Sequence, residues 1–128
     1  MPTVNKFEDL EIFQTARVLT RRIYTVTNDG AFAKDYGLRD QMRRAAVSIM
    51  SNIAEGFESR TNALFIEFLG RARASAGEFR AQAYVALDIG YIDQNRFEEM
   101  TSLAEKCGRQ ISSLIAYLKE HKLNPRNS

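Results

Sequence analysis

The sequence predicts an all-α protein, an antiparallel up-down-up-down four-helix bundle. Three observations carry that prediction. Apolar residues recur at alternating steps of four and three in four separate segments, the spacing of one buried face of a helix. The two prolines, Pro2 and Pro125, lie near the ends, so nothing inside the chain forces a helix to break. Clusters of turn-forming residues separate the segments, and these interruptions exclude one long coiled coil.

The first helix is expected at about 8–28, with Ile12, Ala16, Leu19, Ile23 and Val26 on its inward face. The stretch NDGAFAKDYG follows as a loop. The second helix is expected at about 39–58, burying Met42, Ala46, Ile49, Ile53 and Phe57. After a short break, Thr61 or Asn62 can accept the first backbone N–H groups of a third helix at about 62–88. Its seam is Phe65, Leu69, Ala72, Ala76, Phe79, Ala83 and Ala86. Gly90 serves as the stop, because glycine adopts the left-handed conformation that ends helices. Asp93 caps a fourth helix at about 94–120, whose seam runs Phe97, Met100, Ala104, Cys107, Ile111, Leu114 and Leu118. The ending HKLNPRNS reads as a polar, frayed tail.

With 128 residues, 45% of them hydrophobic and 27% charged, the chain suits one domain (1–128) with a modest core. No apolar run reaches the ~20 residues that span a bilayer, and the N-terminus lacks the order of a secretory signal. One cysteine excludes an internal disulfide, so a cytoplasmic protein without membrane association is the expectation. The net charge is +2, and all of the excess lies in residues 39–80, where it is arginine. Arginine suits both phosphate contacts and carboxylate pairs, so this bias alone leaves both open.

The segment QMRRAAVSIMSNIAEGFESR, Gln41 to Arg60, sets a polar stripe of Arg44, Ser48, Asn52 and Glu55 beside the apolar one. Serine and asparagine are poor helix-interior residues, so each needs a bonding reason to be there. A turn centred near residue 60 places Arg44 near Glu78, Ser48 near Arg73, and Asn52 near Leu69 and Gly70. A partly buried Arg44–Glu78 ion pair braced by Ser48 and Ser75 is therefore expected. Such a network either fixes the register of the helices or lines a ligand pocket.

Gly70, Ala72, Ala74, Ser75, Ala76 and Gly77 form a small-residue patch. A mid-helix glycine costs ~1 kcal/mol against alanine, which close approach of another helix, from this chain or a neighbouring one, would offset. Leu64, Ile66, Phe68, Leu103 and Ile115 fall off the inward seams and suggest a subunit interface.

No catalytic, metal or cofactor site is expected. A bundle metal site needs paired Glu-x-x-His motifs, and the one histidine, His121, lies in the tail. Cys107 sits on a core seam without a histidine in register. The candidate nucleic-acid contacts are Arg17, Arg21 and Arg22, Arg39 and Arg43, and Arg73 and Arg80. On one subunit they make a thin strip; a ring of subunits would multiply it into a charged face. A solvated surface with local Glu–Arg pairs is the other reading.

Certain residues carry a resemblance that covers nearly the whole chain. They are Phe7-Glu8-Asp9-Leu10, Tyr36-Gly37-Leu38, Arg43-Arg44-Ala45-Ala46-Val47-Ser48-Ile49, Ser51-Asn52-Ile53-Ala54-Glu55-Gly56 and Gly90-Tyr91-Ile92. Between them fall Phe65, Phe68-Leu69, Ala72-Arg73, Ser75, Glu78 and Leu87. The sequence thereby resembles the bacterial four-helix-bundle proteins of intervening sequences in 23S ribosomal RNA genes. Met50 replaces that family's usual proline, Ala74 its usual glycine, and Arg39 its usual threonine or serine cap, which passes the capping role to Asp40. The resemblance implies a cytosolic bundle that assembles as a homopentamer, with no established enzymatic activity. It is similar too to the accessory proteins of diversity-generating retroelements, which bind nucleic acid and a reverse transcriptase. RNA, DNA and a protein are thus the candidate partners.

Overall fold

The computed structural model describes residues 4–123, and among these every regular element is helical. A 3₁₀ turn at Phe7–Asp9 precedes α1 (Glu11–Val26), α2 (Gly30–Lys34), α3 (Tyr36–Glu58), α4 (Asn62–Ile89) and α5 (Gln94–Glu120). The four long helices pack as neighbours in the order α1, α3, α4, α5, with α5 returning to α1. Side-chain pairs join α1 to both of its neighbours. Thr20 meets Met50 and Thr27 meets Arg43 between α1 and α3, while Thr15 meets Gln110 and Arg22 meets Glu99 between α1 and α5.

All the expected seam residues of the last two helices are buried: Phe65 through Ala86 on α4, Phe97 through Leu118 on α5. Phe65 and Phe79 are fully enclosed, and truncating either to alanine would cost ~3–5 kcal/mol through lost contacts and the cavity left behind. The caps follow from local chemistry. Thr61 accepts from the Leu64 N–H at 3.2 Å and Asp93 from the Arg96 N–H at 2.8 Å. Gly90 ends α4 at φ +93°, its N–H reaching the carbonyls of Ala86 and Leu87. Asn62 adds a link the spacing did not show: its amide donates to the carbonyls of Leu118 and His121, closing the end of α5 against the start of α4.

Several expectations need correction. The stretch expected as a loop contains α2, because Phe32 is buried and stacks on Tyr91 with ring centres 5.0 Å apart. The following helix begins at Tyr36, capped by Asp35 rather than Asp40: Asp35 Oδ1 accepts from the Leu38 N–H at 3.1 Å. The other oxygen of Asp35 accepts from the Tyr91 hydroxyl at 2.9 Å, tying this helix start to the α4–α5 connection. The first helix starts three residues late, at Glu11, after Leu10 turns inward. In the tail Leu123 is buried, an apolar plug in a segment expected to fray; residues 124–128 lie outside the described residues.

The off-seam apolar residues divide. Ile66, Leu103 and Ile115 pack partly against the core, and Leu64 stays exposed. Phe68 is half-buried, against Gly56. The small-residue patch divides as well. Ala72 and Ala76 belong to the core, but a Cβ added at Gly70 or Gly77 would meet, among the described residues, no heavy atom within 4 Å beyond its own stretch of helix. The close approach lies at Gly56, where an added Cβ would fall 2.8 Å from Phe68 Cβ and 2.9 Å from Phe65 Cδ1. Gly56 is what lets α4 close onto α3.

Candidate functional site

The polar stripe of α3 meets α4 at Ser48. Its hydroxyl lies 3.0 Å from that of Ser75. Asn52 donates through Nδ2 to the Ser48 carbonyl at 2.8 Å and to Ser48 Oγ at 3.1 Å. Ser48 Oγ thus accepts from Asn52 and has its own proton free for Ser75 (a chain satisfied within two helices). Ser48 and Ser75 bond across the seam, and Asn52 braces Ser48 from within α3.

The expected Arg44–Glu78 ion pair is absent from the ion pairs among the described residues. Arg44 and Glu78 face the same groove, but both side chains are exposed. Exposed pairs gain little from holding two long side chains in one geometry, so nothing locks them together. They line one shallow groove of about 350 Å³ with Gln41, Ser48 and Gln82. There Gln82 Oε1 is buried without a hydrogen-bond donor. Ser48 does not reach Arg73 either, which instead donates to Ser112 Oγ on α5 at 3.0 Å. Glu55 is exposed, apart from the Ser48 network.

The candidate arginines differ in what already engages them. Arg43 donates to Thr27 Oγ1 at 2.8 Å and to the Thr27 carbonyl at 3.3 Å, with its guanidinium 4.5 Å from the centre of the Tyr24 ring. Arg39 donates to the Ala33 carbonyl and to Asp40 Oδ1, each at 2.9 Å, and covers the Tyr36 ring. Both therefore satisfy carbonyls at the ends of α1 and α2. Arg22 pairs with Glu99 at 3.6 Å and Arg80 with Glu105 at 3.2 Å. Arg17 and Arg21 project from α1 into solvent, and none of the ion pairs among the described residues includes them or Arg73. Nothing in the spacing singles out Arg109, which lines the same α4–α5 groove as Arg73 and Arg80, because that groove exists only once two helices are paired.

Cys107 is enclosed, its Sγ 3.8 Å from the Ile12 carbonyl, and burial pushes its thiol up to about 12. A thiol so held stays protonated and is inert as a nucleophile at neutral pH. Among the described residues no three His, Cys, Asp or Glu side chains gather closely enough to hold a metal ion. Among the same residues no helix is long and apolar enough to cross a membrane.

These features define a class: an all-helical protein whose polar groups stitch helix seams and line open grooves, around an apolar centre. The family profile described as 23S rRNA-intervening sequence protein matches residues 8–113, and the chain belongs to that family. Its fold is similar to that of a crystal structure from Bacteroides thetaiotaomicron, titled as a protein with unknown function from the S23 ribosomal protein family. The TM-score is 0.76 at 21% identity, covering 82% of this chain and 95% of that one. No curated protein matches the chain in sequence.

Proposed function

We propose that this chain is a non-enzymatic, cytoplasmic scaffold: one antiparallel up-and-down four-helix bundle that assembles with copies of itself and holds nucleic acid. Five copies is the number the family resemblance implies. The observation that carries assembly is the exposed face shared by α3 and α4. Arg44 and Glu78 lie along one groove without pairing to each other, and Gln82 Oε1 beside them is buried without a donor. Val85 and Ile89 continue the Glu78–Gln82 stripe at helical spacing and are 44% and 55% exposed. A neighbouring copy that brings its Glu78 to Arg44 satisfies both charges and covers the apolar end.

The absence of enzymatic activity is supported by the closed Ser48–Ser75–Asn52 chain and the protonated Cys107, which together offer no activated nucleophile. Nucleic acid as the partner is supported by Arg17, Arg21 and Arg73, which none of the ion pairs among the described residues includes.

Native mass spectrometry across a concentration series tests the assembly. The wild type forms a closed oligomer. Arg44→Glu and Glu78→Arg each dissociate it, since like charges then face one another, and the double variant restores it. A wild-type monomer at all concentrations would refute self-assembly. Dissociation that the double variant fails to reverse would move the interface off this face.

A further inference from the structure

A groove of about 780 Å³ runs between α4 and α5, lined by Arg73, Gly77 and Arg80 on one side and Glu105, Gly108 and Arg109 on the other. Two side-chain pairs fix its register. Arg73 Nη1 donates to Ser112 Oγ at 3.0 Å, and Arg80 Nη2 lies 3.2 Å from Glu105 Oε1. In that antiparallel register Gly77 faces Gly108, and Arg109 stands opposite Ala76, between the two α4 arginines. Neither glycine has a heavy atom within 4 Å of where a Cβ would lie.

The three guanidiniums therefore bracket an open floor. Glu105 reaches Arg80 and Arg109, the latter at 4.0 Å, and so holds both at the rim. Three arginines against one carboxylate leave the groove at +2. A guanidinium presents a planar fork of donors that matches the oxygens of a phosphate. Each glycine costs its helix ~1 kcal/mol against alanine, and none of the described residues fills the space they leave. Charge decides what would use it. A second copy docking by the same groove would oppose arginines to arginines, whereas an anion complements them.

We propose that the α4–α5 groove is a phosphate-binding cleft, with phosphate ester groups seated between Arg73, Arg80 and Arg109 over the floor of Gly77 and Gly108. The phosphate comes from a polynucleotide backbone, in which case the assignment rests on the nucleic-acid reading above, or from a free phosphorylated molecule.

The test titrates the assembled protein with mixed-sequence single-stranded RNA, with duplex DNA and with inorganic pyrophosphate, over a salt series. The double variant Gly77→Leu/Gly108→Leu fills the floor without altering charge, and Arg73→Glu/Arg109→Glu reverses the rim. Arg96→Glu, elsewhere on α5, makes one such charge reversal away from the groove. Leucine is the better helix former, so the filled variant should unfold no earlier than the wild type. Filling the floor or reversing the rim is expected to weaken binding by about tenfold or more. Each arginine removed should lower the salt dependence by about one phosphate's worth, with Arg96→Glu near wild type. Polynucleotide binding that survives both groove variants and is lost in Arg17→Glu/Arg21→Glu would overturn the cleft and leave the nucleic-acid reading standing. Pyrophosphate binding that the groove variants abolish, with no binding of RNA or DNA, would sustain the cleft and end the nucleic-acid reading. A wild type that binds none of the three at low salt would overturn both.

Discussion

Replacing Gly56 by alanine should destabilise the protein, although alanine is the better helix former. Gly56 lies inside α3, so propensity alone favours the substitution by ~1 kcal/mol. The new Cβ, however, would stand 2.8 Å from Phe68 Cβ, 2.9 Å from Phe65 Cδ1 and 3.4 Å from the Phe65 carbonyl oxygen. Phe68 Cβ is fixed to its backbone and cannot rotate away, so α3 and α4 must separate. Overpacking of this kind costs ~1–3 kcal/mol, and a contact with fixed atoms belongs at the upper end. The net loss is about 2 kcal/mol, or roughly 8 °C in midpoint for a chain of this length. Gly70→Ala is the matched comparison: the same helix propensity gain with nothing within 4 Å of the added atom. It should raise the midpoint by about 4 °C. Thermal and urea denaturation followed by circular dichroism would measure both. A Gly56→Ala protein as stable as wild type, or a Gly70→Ala protein that loses stability, would refute the reasoning.

Two further tests concern side chains that tie helices together. Ser48→Ala and Ser75→Ala should each cost about 1 kcal/mol, and the double variant less than their sum, because the partners bond each other; urea midpoints of the four proteins check this. Asp35→Ala removes the α3 cap, at about 1 kcal/mol in the same assay, and also the acceptor of the Tyr91 hydroxyl. Tyr91 is held above its ordinary value of 10.0, first by the hydrogen bond to Asp35, then by burial and by the charge of that carboxylate. A raised value in the folded state means the proton is bound more tightly there than in the unfolded chain. The stability it adds is therefore complete below the ordinary tyrosine value and fades as pH rises through the raised one. Stability measured across this alkaline window should fall less steeply in Tyr91→Phe than in the wild type.

The Phe65-to-Ala86 and Phe97-to-Leu118 seams, Thr61, Asp93 and Gly90 were legible in the sequence because each acts through neighbours a turn or less away. Helical period needs no tertiary partner to be visible, and neither does a cap. Asp35 escaped notice because its worth is half local: it caps α3 and also receives Tyr91 from 56 residues on. The same holds for Phe32, whose burial against Tyr91 turns an apparent loop into α2.

The polar stripe shows the division most plainly. That Ser48, Asn52 and Ser75 share a role could be read from their cost inside helices, and the structure brings them together. That Arg44 and Glu78 stay unpaired could not, because both stand exposed on one groove where no packing holds them together, while Arg73 turns to Ser112 on α5. The four long helices, the caps at Thr61, Asp93 and Gly90 and the apolar seams of α4 and α5 are thus properties of the sequence alone, set by interactions within a few residues. Register, the contact at Gly56 and the arginine-lined groove were decided by tertiary structure, because each depends on where one helix surface halts against another.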